Sequence, residues 1–435
     1  MVSDSSVLAD LPTLSRLFSS RLDQSVTVTE IRRSKMGNGQ ETWFIETTLR
    51  PFVLRRSATG GPLVWTSRAA EFEALSSLQE VGLPVPRVLW QEPDGGSLQR
   101  AYFVMEHLPG KPPARQFDDD MAFKLGQMLA QLHQNTRTGN QVEAQTYLPA
   151  KLTETREKYA DTLFANEPLA LALFGWLESH VPQHAFHVVR LWGDPGPHNM
   201  LVSDGHVSGL LDWEMTSLGH PGEDLGSARW SVLGFASPQS IDRGYASVAA
   251  AATVQDGDWF EVLAHLIRAG QALDGTAAFL RSETDEVTLP AMGLGLVTAN
   301  LLRAAAVAWQ QPELMAVKTP LAPVPTANSR DQIVMSRLTE VSARLAMAND
   351  NRSATRQRIA EVVKLAYQNG AHRHCLPSEH SADLHNVGQM ARAQEVSGHS
   401  LDLRQMLVDD VRHRRSRMNE LLSYFGATTS TSVAK

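Results

Sequence analysis

The chain has 435 residues, more than one ordinary domain holds, so two or three domains are expected. An apolar share of 43% beside 20% charged residues fits a packed globular protein, and the single cysteine, Cys375, excludes an intrachain disulfide. A net charge of −7 lacks the basic footprint of a nucleic-acid binder. The first residues, with Asp4 and Asp10, carry no signal pattern. The longest apolar run, 291–309, is interrupted by Thr298, Asn300 and Arg303, so a buried helix is expected there rather than a membrane span. A cytoplasmic protein without nucleic-acid or membrane partners is the expectation.

Taken in order, residues 1–24 carry Leu8, Leu11, Leu14 and Leu22 among polar residues and read as partly helical. Residues 25–56 predict three strands: Ser25–Ile31, which alternates, then Thr42–Thr47 and Phe52–Arg55. The loop between the first two holds Gly37 and Gly39. Such a loop suits covering phosphates with backbone N–H groups, and it suits an ordinary hairpin turn equally. Arg55 and Arg56 must leave the third strand on opposite faces, so only one of them can enter a site. Thr66 to Val81 predicts a helix capped by Thr66 or Ser67, with Phe72, Leu75 and Leu78 as its apolar stripe. Tyr102 begins a strand that breaks at Pro109-Gly110. Phe123–His133 predicts a helix ending on a histidine whose role reads as structural, bonding loop backbone.

The stretch 191–214, LWGDPGPHNMLVSDGHVSGLLDWE, concentrates the chemistry. It holds Asp194, Asn199 five residues later, and Asp212. Two apolar runs, 200–202 and 207–211, flank Asp204-Gly205, which is a hairpin signal. A hairpin folded about Gly205/His206 sets position 199 against position 212. Oxygen ligands from Asn199 and Asp212 are those Mg²⁺ prefers, and Asp194, just upstream, is a carboxylate able to accept a proton. Base, five-residue step, Asn, hairpin and metal Asp form the layout of kinase-type phosphoryl transfer. A surface loop using Asp, Asn and Gly as turn residues is the bland alternative.

Beyond it the chain reads as helical to about Gln311, with Asp224 opening a helix as its cap. Residues 319–326 are Pro-rich and read as a linker. Three further helical stripes follow. His372, His374, Cys375, His380 and His385 match no zinc spacing. Arg412, Arg414, Arg415 and Arg417 read as a solvated helix face.

The 191–214 stretch resembles the aminoglycoside phosphotransferase family, with its choline kinase and acyl-CoA-dehydrogenase-associated relatives. The family signature is H-G-D-x-x-x-x-N, a hairpin, then D-W/F-E. Here Trp192 stands where His is usual, and Asp194, Asn199, Asp212, Trp213 and Glu214 match. Gly219-His220-Pro221-Gly222-Glu223-Asp224-Leu225 and Leu129-Ala130-Gln131-Leu132-His133 extend the resemblance. It implies an α+β, bilobal protein-kinase-like fold. Residues 1–108 would be a small antiparallel-sheet N-lobe, 109–318 a helical C-lobe, 319–328 a linker, and 329–435 an appended C-terminal helical bundle through which a homodimer is expected. It implies ATP and Mg²⁺ as cofactors and a small-molecule hydroxyl as substrate. Arg55, in place of the usual Lys, would bind the α- and β-phosphates, with Glu71 fixing it and Glu73 as the alternative. Gly37 and Gly39 would cover the phosphates, and backbone from Glu106 to Leu108 would bond the adenine edge. Asp194 would be the base, Asn199 and Asp212 the Mg²⁺ ligands, and Asp224 a brace for the loop. The Val53-Leu54-Arg55 strand followed by Gly60-Gly61-Pro62 leans toward the acyl-CoA-dehydrogenase-associated branch and a metabolic hydroxyl acceptor. The acids Glu283, Asp285 and Glu286 keep an aminoglycoside as an alternative acceptor, while Trp192 and Arg55 keep a non-catalytic nucleotide-binding protein in view.

Overall fold

The computed structural model describes residues 8–34, 40–60, 63, 65–113, 116–158, 160, 167–249, 256–312, 329–347, isolated positions between 357 and 393, and 401–424. Gly37, Gly39, the 319–328 linker and the cluster from His372 to His385 lie outside the described residues. By contacts the chain divides into two compact units: Met1–Asn140 with His187–Gln255, and Gln141–Phe186 with Asp256–Lys435.

The first unit opens with α1 (Leu11–Leu22), which starts where the Asp10 side chain accepts from the Thr13 N–H at 2.7 Å. A five-stranded antiparallel sheet follows, in the order β1 (Val28–Arg33), β2 (Glu41–Thr47), β3 (Phe52–Arg56), β5 (Tyr102–Glu106), β4 (Val88–Glu92). All five residues of β3 are buried, because both faces of the sheet are covered. Phe52 and Leu54 face a core built with Leu14 and Phe18 of α1. Val53 faces the other core with Phe103, Met105 and residues of α2 (Arg68–Leu78). The period-2 geometry of the strand divides the two arginines in the same way. Arg56 joins Glu41 and Arg100 on the α1 side, and Arg55 enters the opposite face.

The second core continues without a break into α3 (Asp119–Asn135), α6 (Pro221–Ser231) and α7 (Pro238–Ala246). The chain leaves this unit within β6 (Thr138–Glu143), runs through α4 (Ala144–Lys158) and α5 (Pro168–Ser179), and returns within β7 (Ala185–Leu191). Past β7 comes the hairpin of β8 (Met200–Ser203) and β9 (His206–Leu210), then β10 (Ser217–Gly219), which pairs back onto the end of β7.

The second unit packs α4 and α5 with α8 (Gly257–Leu280), α9 (Thr288–Ala308), α10 (Ser329–Met347) and α11 (Leu401–Tyr424). Among the described residues α9 is the one helix long and apolar enough to cross a membrane, and Val297, Leu301, Leu302, Ala304 and Ala305 along it are buried in this unit. Arg412 and Arg414 of α11 do not belong to a solvated face. Arg412 and Arg414 are buried, and Arg414 holds Glu167 with both guanidinium arms at 2.9 and 2.8 Å. Two arms on one carboxylate offset the cost of burying the charge, and they tie α11 to the start of α5.

His265 of α8 is buried against Asn300 of α9, its Nδ1 2.8 Å from the amide oxygen. Burial pushes it down to about 4. A base depressed in the fold contributes stability above its unfolded value near 6.5, and that contribution is lost as pH falls from there toward 4. The wild type is therefore expected to lose about 3 kcal/mol more than His265→Gln over this window. Urea unfolding of both proteins at pH 7, 5.5 and 4.5 measures it, and parallel pH slopes would refute it.

Candidate active site

The site begins at Arg55. From β3 its guanidinium donates to Thr42 Oγ1 at 2.8 Å, to Asp212 Oδ1 at 2.8 Å and to Glu214 Oε2 at 3.1 Å, and its Nε lies 3.3 Å from Glu71 Oε1. Burial works against the Arg55 charge, but Glu71, Asp212 and Glu214 outweigh it and raise its pKa. Glu71 sits one turn into α2, whose N-cap is Ser67, with the side chain accepting from the Ala70 N–H. Of the two acids considered on this helix, Glu71 is the buried one that meets Arg55.

A second cation lies beside the first. Arg68 is buried, bonds Glu71 and Thr66, and reaches Glu214 at 3.4 Å. Two arginines and three carboxylates thus share one partly dry pocket. Burial, then repulsion from Asp212, push the Glu214 carboxyl up to about 7 against the pull of Arg55. The sequence pattern gives Arg68 no role and Glu214 only its place in the Asp212-Trp213-Glu214 match. The available signal was the i, i+3 spacing of Arg68 and Glu71 on one helix face.

The loop that carries Asp194 follows β7. Gly193 takes a left-handed backbone, φ 89°, with Met215 backbone pressed against it, so a side chain there meets both strain and a clash. Asp194 is followed by a single turn of 3-10 helix, Pro197–Asn199. Asn199 Nδ2 donates to the Asp194 backbone oxygen at 3.0 Å and to Asp194 Oδ2 at 3.1 Å. His198 Nε2 stands 3.0 Å from the same Oδ2. In the hairpin Met200 pairs with Leu210, with a register shift between Leu201 and Val202, and the Leu211 N–H donates to Asn199 O at 2.8 Å. Asn199 therefore faces Leu211, one residue short of the expected Asp212. Asp212 lies just past the ladder with φ 59°, a left-handed conformation that turns its side chain out of the strand alternation.

Asp224 holds this loop, though not as a helix cap. His220 caps α6, its Nδ1 accepting from the Gly222 N–H while Glu223 reaches back to the His220 N–H. Asp224 sits inside the first turn and accepts from the backbone N–H groups of Trp192 at 2.7 Å and Gly193 at 2.8 Å. His133 does not bond loop backbone either. It is buried with Nε2 3.2 Å from Asp224 Oδ2 and Nδ1 3.0 Å from Tyr245 Oη.

Trp192 is 1% exposed, stacks on Trp213 at 5.4 Å between centroids, and donates from Nε1 to Leu211 O at 2.8 Å. The indole thus links the Asp194 loop to the residue before Asp212 through one donor. Trp192→Ala empties this volume and is expected to cost about 3 kcal/mol. Trp192→His, which keeps a donor, is expected to cost less. Chemical denaturation of both variants checks this, and an alanine variant as stable as wild type would show that something else holds the loop.

The strand end expected to meet a nucleotide base is anchored on both sides. Glu106 is bonded by Arg87 Nε at 3.1 Å and paired with Arg50 at 3.0 Å. Leu108 lies against Gly209 of the hairpin. The donor set fits Mg²⁺ by its chemistry: the Asn199 amide nitrogen is spent on Asp194, which leaves its amide oxygen, with the Asp212 carboxylate, as hard oxygen donors.

The sequence pattern of the phosphotransferase enzyme family matches residues 30–288. The chain is 26% identical over 230 residues to mouse acyl-CoA dehydrogenase family member 10, covering 49% of this chain and 21% of that protein. It is 24% identical over 235 residues to human acyl-CoA dehydrogenase family member 11, covering 50% of this chain and 29% of that protein. The match thus spans less than a third of the length of these relatives. Among solved structures, a Ralstonia eutropha JMP134 protein provisionally named an aminoglycoside phosphotransferase superposes with a TM-score of 0.51 at 18% identity, over 69% of this chain and 97% of that one. That likeness shows the kinase-like fold.

Proposed function

The chain belongs to the phosphotransferase enzyme family, and we propose that it is an ATP- and Mg²⁺-dependent kinase acting on a hydroxyl group of a small metabolic molecule. The observation that carries this reading is the unbroken ion-pair chain from Glu71 through Arg55 to Asp212. Strand cation, helix carboxylate and the carboxylate proposed to hold the metal meet in one place, although 157 residues separate Arg55 from Asp212.

Each residue then has a job. Glu71, itself held by Arg68, keeps the Arg55 guanidinium in place, and its planar fork exchanges Asp212 and Glu214 for α- and β-phosphate oxygens. Asn199 and Asp212 would hold Mg²⁺, which supplies charge neutralisation along the triphosphate. Asp194 takes the proton of the acceptor hydroxyl as that oxygen bonds the γ-phosphorus and the β–γ bridging oxygen departs with ADP. Positioning and charge do most of the work.

The acceptor class follows from charge. Binding a polycationic amino sugar needs available carboxylates. The acid loop at 283–286 does not offer them: Glu283 is paired with Arg281 at 2.6 Å, Asp285 with Arg337 at 2.6 Å and Arg344 at 2.7 Å, and Glu286 accepts from Thr288. That supports a metabolic hydroxyl compound, in line with the acyl-CoA dehydrogenase family members that this chain resembles.

The test is a thermal-shift measurement with Mg²⁺ and a non-hydrolysable ATP analogue, then phosphate transfer to a panel of hydroxyacyl compounds and other metabolites. Stabilisation with transfer is expected. Stabilisation without transfer to any acceptor would favour a non-catalytic nucleotide-binding protein. Kanamycin or neomycin resistance conferred on a sensitive bacterium, and lost with Asp194→Ala, would overturn the acceptor class.

A further inference from the structure

We propose that His198 is a positioning residue for Asp194: its Nε2–H holds one carboxylate oxygen, Oδ2, so that the other is presented to the acceptor hydroxyl. The inference rests on the reading of Asp194 as the base. A carboxylate only accepts, so at 3.0 Å from Asp194 Oδ2 the His198 Nε2 carries the proton of that bond. Asn199 Nδ2 donates to the same oxygen at 3.1 Å. Asn199 has a second task on the metal side, and any rotation of its amide toward a cation weakens its hold on Oδ2. His198 has no such task and keeps the oxygen when Asn199 moves.

The local chain is arranged for this contact. His198 lies in a one-turn helix closed by the Asn199 N–H on Gly196 O at 3.1 Å and stiffened by Pro195 and Pro197. Gly196 leaves the ring its space: a Cβ there would stand 2.8 Å from His198 Cε1 and 2.7 Å from Ser231 Cβ, so a side chain at 196 would press on both the imidazole and Ser231. The imidazole is 47% exposed and Asp194 19%, so the ring covers the base without belonging to the core. Replacing it empties no cavity, and the variants are expected to fold. A carboxylate fixed in one rotamer before the acceptor arrives is what transfer geometry requires, and loosening it costs rate rather than nucleotide affinity.

The experiment uses the full chain with MgATP and no added acceptor, measuring slow ADP release with water as the acceptor. His198→Ala is expected to lower kcat about tenfold while KM for MgATP stays within about twofold. His198→Gln, which keeps an N–H donor, is expected to recover at least half of the loss. An alanine variant with wild-type kcat, or a glutamine variant no better than alanine, overturns the proposal. A second readout does not depend on kinase activity: ¹⁵N NMR of the imidazole, assigned with His198→Gln, is expected to show an Nε2–H tautomer that becomes mixed in Asp194→Ala. If the wild type neither binds nor hydrolyses MgATP, the kinase reading fails by itself. The tautomer then decides the contact: unchanged in Asp194→Ala, it overturns the positioning role.

Discussion

Asp194→Asn is expected to lower turnover about a thousandfold while leaving affinity for the Mg²⁺–nucleotide nearly intact. The substitution is isosteric. The amide still offers an oxygen to His198 and to Asn199, which hold the present carboxylate at 3.0 and 3.1 Å, so the loop keeps its shape. What it loses is the ability to accept a proton at neutral pH. Asp212→Asn is the contrasting case. Asp212 bonds Arg55 at 2.8 Å and is the proposed metal ligand, so its loss is expected to weaken nucleotide binding as well as turnover. Calorimetric titration with MgATP and single-turnover transfer separate the two. A confirmed substrate turned over by Asp194→Asn at the wild-type rate would remove Asp194 from the role of base.

Gly126→Ala is expected to destabilise the first unit by about 3 kcal/mol. Gly126 of α3 and Gly244 of α7 let the two helices meet backbone against backbone. A Cβ at Gly126 would collide with Ile241 O and stand 2.8 Å from Tyr245 N, and one at Gly244 would collide with Phe123 O. These are helix backbone atoms, so relief requires α7 to back away as a body. The consequence reaches the chemistry. Tyr245 Oη is 3.0 Å from His133, His133 is 3.2 Å from Asp224, and Asp224 fixes the N–H groups of Trp192 and Gly193 directly before Asp194, the proposed base. Lower stability and lower turnover are expected together, measured by urea unfolding and by ADP release. An unchanged unfolding midpoint would show that the crossing has room that the backbone positions deny.

Much of the site was legible because it is local. Asp194, Asn199 and Asp212 fall within 19 residues, and the turn at Asp204-Gly205 folds them together whatever the rest of the chain does. The strands of the sheet and α2 were legible through their periodicities, and the opposite faces of Arg55 and Arg56 through the geometry of any strand. The hairpin register was off by one: the strands close at Ser203 and His206, about Asp204-Gly205 rather than Gly205/His206, and the shift between Leu201 and Val202, a backbone irregularity that no residue type announces, recovers only one of the two residues.

Tertiary structure alone decided where buried charges find their partners. Arg414 looks the same in sequence whether it faces water or Glu167, 247 positions away, and burial with a two-armed bond is what makes it structural. The acids at 283–286 read as an open patch until Arg337 and Arg344 arrive from another helix. Arg68 reads as a helix-start cation until Glu214 comes within 3.4 Å, and Asp224 reads as a cap until the loop N–H groups converge on it. A side chain's charge is fixed by its chemistry, but its solvent and its partner are set by the path of the whole chain, and a buried charge is stable only where that path delivers the opposite one.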